Sequence, residues 1–347
     1  MHYAPTNARK PEIARHVERE SCVVLGAGIS GLLAARELRA AGWRVVILEK
    51  NRRVGGRMAT RRMGPGTFDY GAQFLTIRSE RIGRLVEEWL AAGVIQEWSR
   101  GFTDAEGELA RDGYPRYCGS EGMASIPEYL ARDLDVRVAE VVTTANVING
   151  AWEVRTATGS CERAGALLLT APVPESLAVL AAGDVDLAQE VQHRLEKISY
   201  SPCLALTALL DGPTGVPEPG GVQIKGEPLD WIGDNRQKGI SEAPAVTVNA
   251  GPRWSREHFG RDEKEITYFL LTHAGDRLGE DLVARTRATC LARWRYSWVE
   301  EGHDGRYLAA SERPPLLFAG DAFGGAKVEG AALSGLAAAD RLLGRTG

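Results

Sequence analysis

Residues 22 to 49, CVVLGAGISGLLAARELRAAGWRVVILE, constrain this chain more than any other stretch. An apolar run, Cys22 to Leu25, leads into a glycine turn. An Ala/Leu-rich helix is predicted from about Ser30 to Ala41, and a second apolar strand, Val45 to Leu48, ends in Glu49. Short apolar runs flanking a helix-period segment read as one strand–helix–strand unit. Each glycine has a place in it. Gly26 turns the chain out of the strand, Gly28 lets a pyrophosphate approach the backbone, and Gly31 lets the helix pack close. The helix N-terminus then offers free N–H groups to phosphates. Glu49 is placed to bond a ribose diol and to repel a 2′-phosphate, so a dinucleotide without that phosphate is expected.

At 347 residues the chain exceeds one ordinary core, and two domains are expected. Charged residues make up 25% and the formal net charge is −4, which gives no reason to expect nucleic acid or an anionic membrane as partner. No apolar run is long enough to span a bilayer and no signal-peptide core opens the chain, so a cytoplasmic location is expected. The five cysteines are far apart and the six histidines lack ligand spacing, so neither a disulfide framework nor a metal site is expected. Residues 1–20 read as a polar N-terminal extension.

After Glu49, Gly55-Gly56 stands between Arg53 and Arg57, which suits backbone approach to a phosphate with charge-assisted bonds; a solvated surface turn is the alternative. In FDYGAQFLT (Phe68 to Thr76), Gly71 and Ala72 are small enough to let amides reach a flat ring, and Gln73 can bond its polar edge. Helices are predicted over 79–92, 122–134, 186–196, 262–274 and 280–292. A β-meander turns at Asn149-Gly150. Strands are predicted at 166–170, 203–210, 229–234, 245–249 and 294–299. Trp152, Trp231, Trp254, Trp294 and Trp298 fall in or beside the later half, as lining for a flat substrate or as core. At the end, Leu316 to Ala319, Gly320-Asp321 and a helix from Val328 to Leu343 form a second strand–Gly-Asp–helix unit, whose acid can bond sugar-alcohol hydroxyls.

GAGISG with Glu49, RRVGGRM, and AGDAFGGAKVEGAALSG together resemble the FAD-binding domain of the flavin amine oxidase-like superfamily. FDYGAQFLT, WIGDNRQKG, VTVNAGPRWSREH and ARWRYSWV are similar to its renalase-like branch, and the likeness covers most of residues 21 to 343. It implies an α/β fold: a Rossmann-like, glutathione reductase-type FAD-binding domain (21–75, 120–180 and 310–347) interleaved with a substrate domain of mixed sheet plus helices (76–119 and 181–309). It implies non-covalent FAD, contacted by Gly26, Gly28, Ile29, Ser30, Gly31, Glu49, Lys50, Gly56 and Arg57. Val141 would meet adenine and Gly320-Asp321 the ribitol-phosphate end. Gly71, Ala72, Gln73 and the Glu329, Gly330, Ala331 turn would border the isoalloxazine.

Enzymes of this branch oxidise isomeric dihydronicotinamide dinucleotides to the ordinary oxidised cofactor, and oxygen leaves as hydrogen peroxide. No metal is implied. Phe74, Asn235, Asn249 and Trp294 are the substrate-pocket candidates. The chain departs from the branch at Asn249, where histidine is expected, at Ala322, where an aromatic is expected, and at Gln237-Lys238-Gly239. An amine oxidase or a carotenoid- or porphyrin-type dehydrogenase is the alternative, with Lys197 or Lys225 as the lysine that amine oxidases place by flavin N5. A non-catalytic flavin- or NAD-binding redox sensor is the third reading.

Overall fold

The computed structural model describes residues 20–345; apart from Glu20, the expected N-terminal extension lies outside the described residues. Strand β1 (Ser21–Leu25), helix α1 (Ile29–Ala40) and strand β2 (Arg44–Leu48) form the predicted opening unit. The chain continues through the hairpin β3 (Thr60–Met63) and β4 (Gly66–Asp69), helix α2 (Glu80–Ala91), and the long hairpin β5 (Ile95–Asp104) and β6 (Leu109–Gly119). Of the helix predicted over 122–134 only α3 (Ser125–Leu130) forms, with Pro127 early in it, where a proline costs no hydrogen bond. Next come β7 (Asp135–Arg137) and the meander β8 (Val142–Ile148), β9 (Ala151–Thr156) and β10 (Cys161–Ala164). Asn149 and Gly150 have φ of 52° and 76°, as a two-residue hairpin turn requires. Strand β11 (Ala166–Leu169) then stops at Pro172, which caps helix α4 (Val173–Ala181). The prolines that end the strand thus begin a helix.

The later half runs α5 (Gln189–Glu196), β12 (Ser199–Leu210), β13 (Gly221–Gln223), β14 (Leu229–Asp234), β15 (Ala245–Ala250), α6 (Pro252–His258) and α7 (Glu263–Leu278). After the single turn α8 (Leu282–Arg285) comes β16 (Thr286–Glu301), so most of the helix predicted over 280–292 is strand. Its Ala, Leu and Arg residues favour a helix only weakly, and antiparallel pairing with the whole length of β12 outweighs that preference. The chain closes with β17 (Leu308–Glu312), β18 (Pro315–Phe318) and α9 (Val328–Leu342).

Two large sheets organise these elements. The first has the order β17-β18-β11-β1-β2-β7, parallel except at the β17 edge. Successive residues point to opposite faces. Val24, Ile47 and Leu168 therefore pack under α1, α2 and α9, while Val23, Val46 and Leu167 pack with the meander. Helix α2 lies within 76–119, yet its Ile82, Val86 and Trp89 join the core beside α1.

The second sheet has the order β16-β12-β15-β14-β13-β5-β6. On one face Leu204, Leu206, Val246 and Val248 pack on Ile266 and Leu270 of α7. The alternate residues, Ala205, Thr207, Thr247 and Asn249, face the other way. Thr247 Oγ1 donates to the Asp69 carbonyl at 2.9 Å, so this second face meets the end of β4.

Candidate FAD and substrate site

At the start of α1 the backbone is laid bare. Gly26 has φ of 103°, and a Cβ on Gly31 would lie 2.2 Å from the Gly26 carbonyl oxygen. A Cβ on Gly28 would meet nothing within 4 Å, whereas one on Gly56 would lie 3.7 Å from the Gly28 Cα. Gly28 and Gly56 thus face each other across a space free of side chains, and Gly55 N–H donates to the Ala27 carbonyl at 2.8 Å. No side chain caps α1, and the buried Ser30 hydroxyl in its first turn has no partner among the described residues. Ile29 is buried beside it.

Glu49 is held in place at the end of β2: it accepts the Ala27 and Asn51 N–H groups at 2.8 Å and Asn51 Nδ2 at 2.7 Å. Glu140 N–H donates to the Glu49 carbonyl at 2.9 Å, which brings the exposed Val141 alongside. Lys50 instead reaches out to Glu175 at 2.6 Å.

The C-terminal unit closes on this turn. Arg57 grips Asp321 with two bonds of 2.5 and 2.7 Å and donates to the Tyr296 carbonyl at 3.2 Å. Burial alone would lower the Arg57 pKa, but the charge and hydrogen bonds of Asp321, with smaller contributions from Tyr200 and Glu175, together outweigh it and raise the pKa above its ordinary value. Gly320, with φ of 127°, donates to Ser334 Oγ at 2.8 Å. A Cβ on Gly335 would lie 2.1 Å from the Ser30 carbonyl, so α9 and α1 are in backbone contact there. In the first turn of α9, a Cβ on Gly330 would lie 2.1 Å from the Gly325 carbonyl, and Ala331 N–H donates to Lys327. Glu329 accepts the N–H groups of Arg78 and Ser79, both at 2.7 Å.

Between these ends and the second sheet runs the segment from Asp69 to Phe74. A Cβ on Gly71 would lie 2.0 Å from the Arg57 carbonyl, to which Ala72 N–H donates at 2.8 Å. Gln73 Nε2 donates to the carbonyls of Asp69 and Gly71 at 2.8 and 3.1 Å. Asp69 is fully buried. Its carboxylate accepts Lys238 Nζ at 2.6 Å, Met123 N–H at 2.8 Å and Thr60 Oγ1 at 2.5 Å. Lys238 Nζ also donates to the Gln73 carbonyl at 2.5 Å. The sequence reading took Lys238 only as a departure from a family pattern. Its cue was a lysine beside the buried strand β14, but only its distant partner, Asp69, gives it meaning.

The sheet face beneath carries the aromatics. Trp294 Nε1 donates to the Tyr70 carbonyl at 2.7 Å, and its indole stacks on the Tyr70 ring at 5.4 Å. The Arg61 guanidinium lies 3.8 Å from that ring. Phe74 packs with Trp98, Phe102 and Trp231, a cluster in which the sequence reading had singled out only Phe74 and Trp231. Asn249 stands between Trp231 and Ala205.

Other candidates lie elsewhere. Asn235 is buried, and its amide bonds the Asp69 N–H, the Ala245 carbonyl and Thr247 Oγ1. Trp152 bonds the Pro315 carbonyl in the meander core, Trp254 stacks on His258 and Phe269 beneath α7, and Trp298 is exposed. Lys197 and Lys225 are exposed.

Residues 90–343 match the model of the flavin containing amine oxidoreductase family, and residues 24–89 that of the NAD(P)-binding Rossmann-like domain. The chain belongs to the flavin containing amine oxidoreductases: it is an FAD-dependent oxidoreductase with the Rossmann-like α/β fold expected of it. Within that class it is 26% identical to renalase of Mus musculus over 87% of this chain and 92% of the relative. It is also 37% identical to putrescine oxidase of Kocuria rosea, over 37% of this chain and 27% of that one. Among solved structures, a putative protoporphyrinogen oxidase from Exiguobacterium superposes with a TM-score of 0.72 at 14% identity, covering 94% of this chain and 99% of that one. A putrescine oxidase bound to putrescine gives 0.70 at 15% identity, with the same coverage. The renalase-like resemblance read from the motifs is borne out. Among the described residues no helix is long and apolar enough to cross a membrane.

Proposed function

We propose that the protein is an FAD-dependent oxidase of renalase type, converting isomeric dihydronicotinamide dinucleotides to the oxidised dinucleotide. FAD, held without a covalent bond, would supply the acceptor for the substrate's hydride and the electron pair that, with a proton from water, reduces oxygen to hydrogen peroxide. The residues present fit such a group. Gly28 and Gly56 leave room where side chains would fill it, and the Ser30 hydroxyl has a donor to offer a phosphate. Glu49 is oriented for a ribose diol with Val141 beside it for adenine, and Arg57 with Gly320-Asp321 suits the phosphate and ribitol. Gly71, Ala72, Gln73 and the Glu329–Ala331 turn are the edges for the ring. The first sheet and its helices hold the cofactor in this reading, and the second sheet the substrate.

The observation that carries the substrate reading is the absence of a free lysine on the substrate-facing sheet. Among the described residues only Lys238 is buried, and Asp69 and the Gln73 carbonyl occupy it. An amine must give up a proton as well as a hydride. A dihydropyridine becomes aromatic on losing hydride alone, so stacking and orientation by residues such as Trp294 are the chief demand. The match to mouse renalase along nearly the whole chain supports the same reading. Aerobic turnover of borohydride-made dihydro-NAD isomers is expected to give oxidised dinucleotide and peroxide in equal amounts. Peroxide from a panel of amines, with none from the dihydro isomers, contradicts it.

A further inference from the structure

The segment from Asp69 to Phe74 is clamped from one side by a buried cation. Lys238 Nζ, on the turn after β14, donates to the Gln73 carbonyl at 2.5 Å and to Asp69 Oδ2 at 2.6 Å, and lies 4.8 Å from the centre of the Trp98 ring. Its side chain is 1% exposed and that of Asp69 0%. A lysine carried so far from water is costly unless it is paired, and Asp69 pairs it. Charge pairing asks only for the carboxylate. The bond to the Gln73 carbonyl is additional, and it sets a backbone direction.

The peptide between Gln73 and Phe74 is trans, so its C=O and N–H point to opposite sides of one plane. With the carbonyl turned to Lys238, the Phe74 N–H is turned away from it. The amides on either side are committed: Ala72 N–H donates to the Arg57 carbonyl at 2.8 Å and Leu75 N–H to the Tyr117 carbonyl at 2.9 Å. Gln73 Nε2 holds the segment further through the Asp69 and Gly71 carbonyls. The Phe74 N–H alone is aimed by this scaffolding yet bonds none of the described residues, and Gly71, Ala72 and Phe74 are only half-buried. A backbone donor fixed in direction and left open suits a ligand's acceptor. Because Ala72 hangs from Arg57, and Arg57 grips Asp321, the open donor continues the line of residues that fit the cofactor.

We propose that Lys238 is a positioning residue for the flavin: through the Gln73 carbonyl it holds the Phe74 N–H toward the polar edge of the isoalloxazine ring. This rests on the placing of that ring beside Gly71, Ala72 and Gln73, and not on the identity of the substrate. A donor fixed in advance stabilises the negative charge that reduction brings to that edge, without any reorganisation when the charge arrives.

The test uses the protein labelled with 15N-phenylalanine, which marks seven residues; the signal lost in Phe74→Leu identifies Phe74. Loading wild-type apoprotein with FAD is expected to shift the Phe74 amide signal and to slow its exchange with deuterium by at least roughly tenfold. Lys238→Met/Asp69→Asn neutralises the pair and removes the donor to Gln73. The FAD-loaded double variant is expected to lose the protection at Phe74. Reduction of its flavin is expected to be about tenfold less favourable, which is about 30 mV in a two-electron midpoint potential. A purely structural role for the pair would leave that potential where it was. Unchanged protection or an unchanged potential in the double variant overturns the role of Lys238 while the ring's placement stands. A Phe74 amide that FAD neither shifts nor protects in wild type overturns both, and needs no variant to fold. The choice between dihydronicotinamide and amine substrates is unaffected by either result.

Discussion

Lys238 carries its charge into an interior where only Asp69 neutralises it, and it joins the end of β4 to the turn after β14. Breaking a buried pair from one side leaves an uncompensated charge, at a cost of about 3–5 kcal/mol. Lys238→Met is therefore expected to lower the unfolding free energy by that much and reduce flavin content, and Lys238→Met/Asp69→Asn to recover most of the stability in urea titrations. Cys22 offers a pH test. Burial in β1 pushes its thiol up to about 12 from an ordinary 9.0. Above pH 9 the unfolded chain releases this proton and the native chain keeps it, so stability falls as pH rises from 9 toward 12. The slope is about 1.4 kcal/mol per pH unit, and Cys22→Ala removes it from a pH series of unfolding curves. At this scale, residues whose role is local to the backbone were legible. Gly26 makes its turn at a φ of 103°, Gly31 packs against the Gly26 carbonyl, and Gly28 leaves open the space in front of α1. The bonding of Asn235 was not legible, because the Asp69 N–H that its Oδ1 accepts is 166 positions away in sequence.

Elements were legible where periodicity and punctuation agree, as in α1, α7 and the Asn149-Gly150 hairpin. Strand β16 was half lost, since its first residues pattern like a helix and only β12, some 80 residues earlier, makes them a strand. Helix α4 was hidden because Pro172 and Pro174 end a strand and begin a helix at the same point. Nothing local to α9 reveals why its Gly335 is small; the reason is the Ser30 carbonyl of α1. A Cβ at 2.1 Å from that oxygen forces the two helices apart. Gly335→Val is expected to destabilise the protein by more than about 3 kcal/mol and to strip it of flavin together, because the contact fixes the first turn of α1 against the middle of α9. Calorimetry and the flavin-to-protein absorbance ratio measure the two effects; normal flavin content in a stable variant contradicts the coupling.

For the whole molecule, the two motifs at opposite ends of the chain are joined directly by the Arg57–Asp321 pair and the α1–α9 contact. That closure was legible because the resemblance assigns both motifs to one cofactor. What was not legible is how the second sheet presents its aromatics. Which of the eight tryptophans reach the site depends on strand register, and only Trp98, Trp231 and Trp294 lie near the Tyr70–Phe74 segment. The account stands or falls on what that face orients toward FAD. Rapid anaerobic mixing of the purified yellow protein with an isomeric dihydro-NAD is the most direct measurement. The account predicts complete bleaching of the visible flavin band with release of oxidised NAD, and bleaching orders of magnitude slower with putrescine. An unbleached flavin with the dihydro isomers and prompt bleaching by an amine is the result that would contradict it.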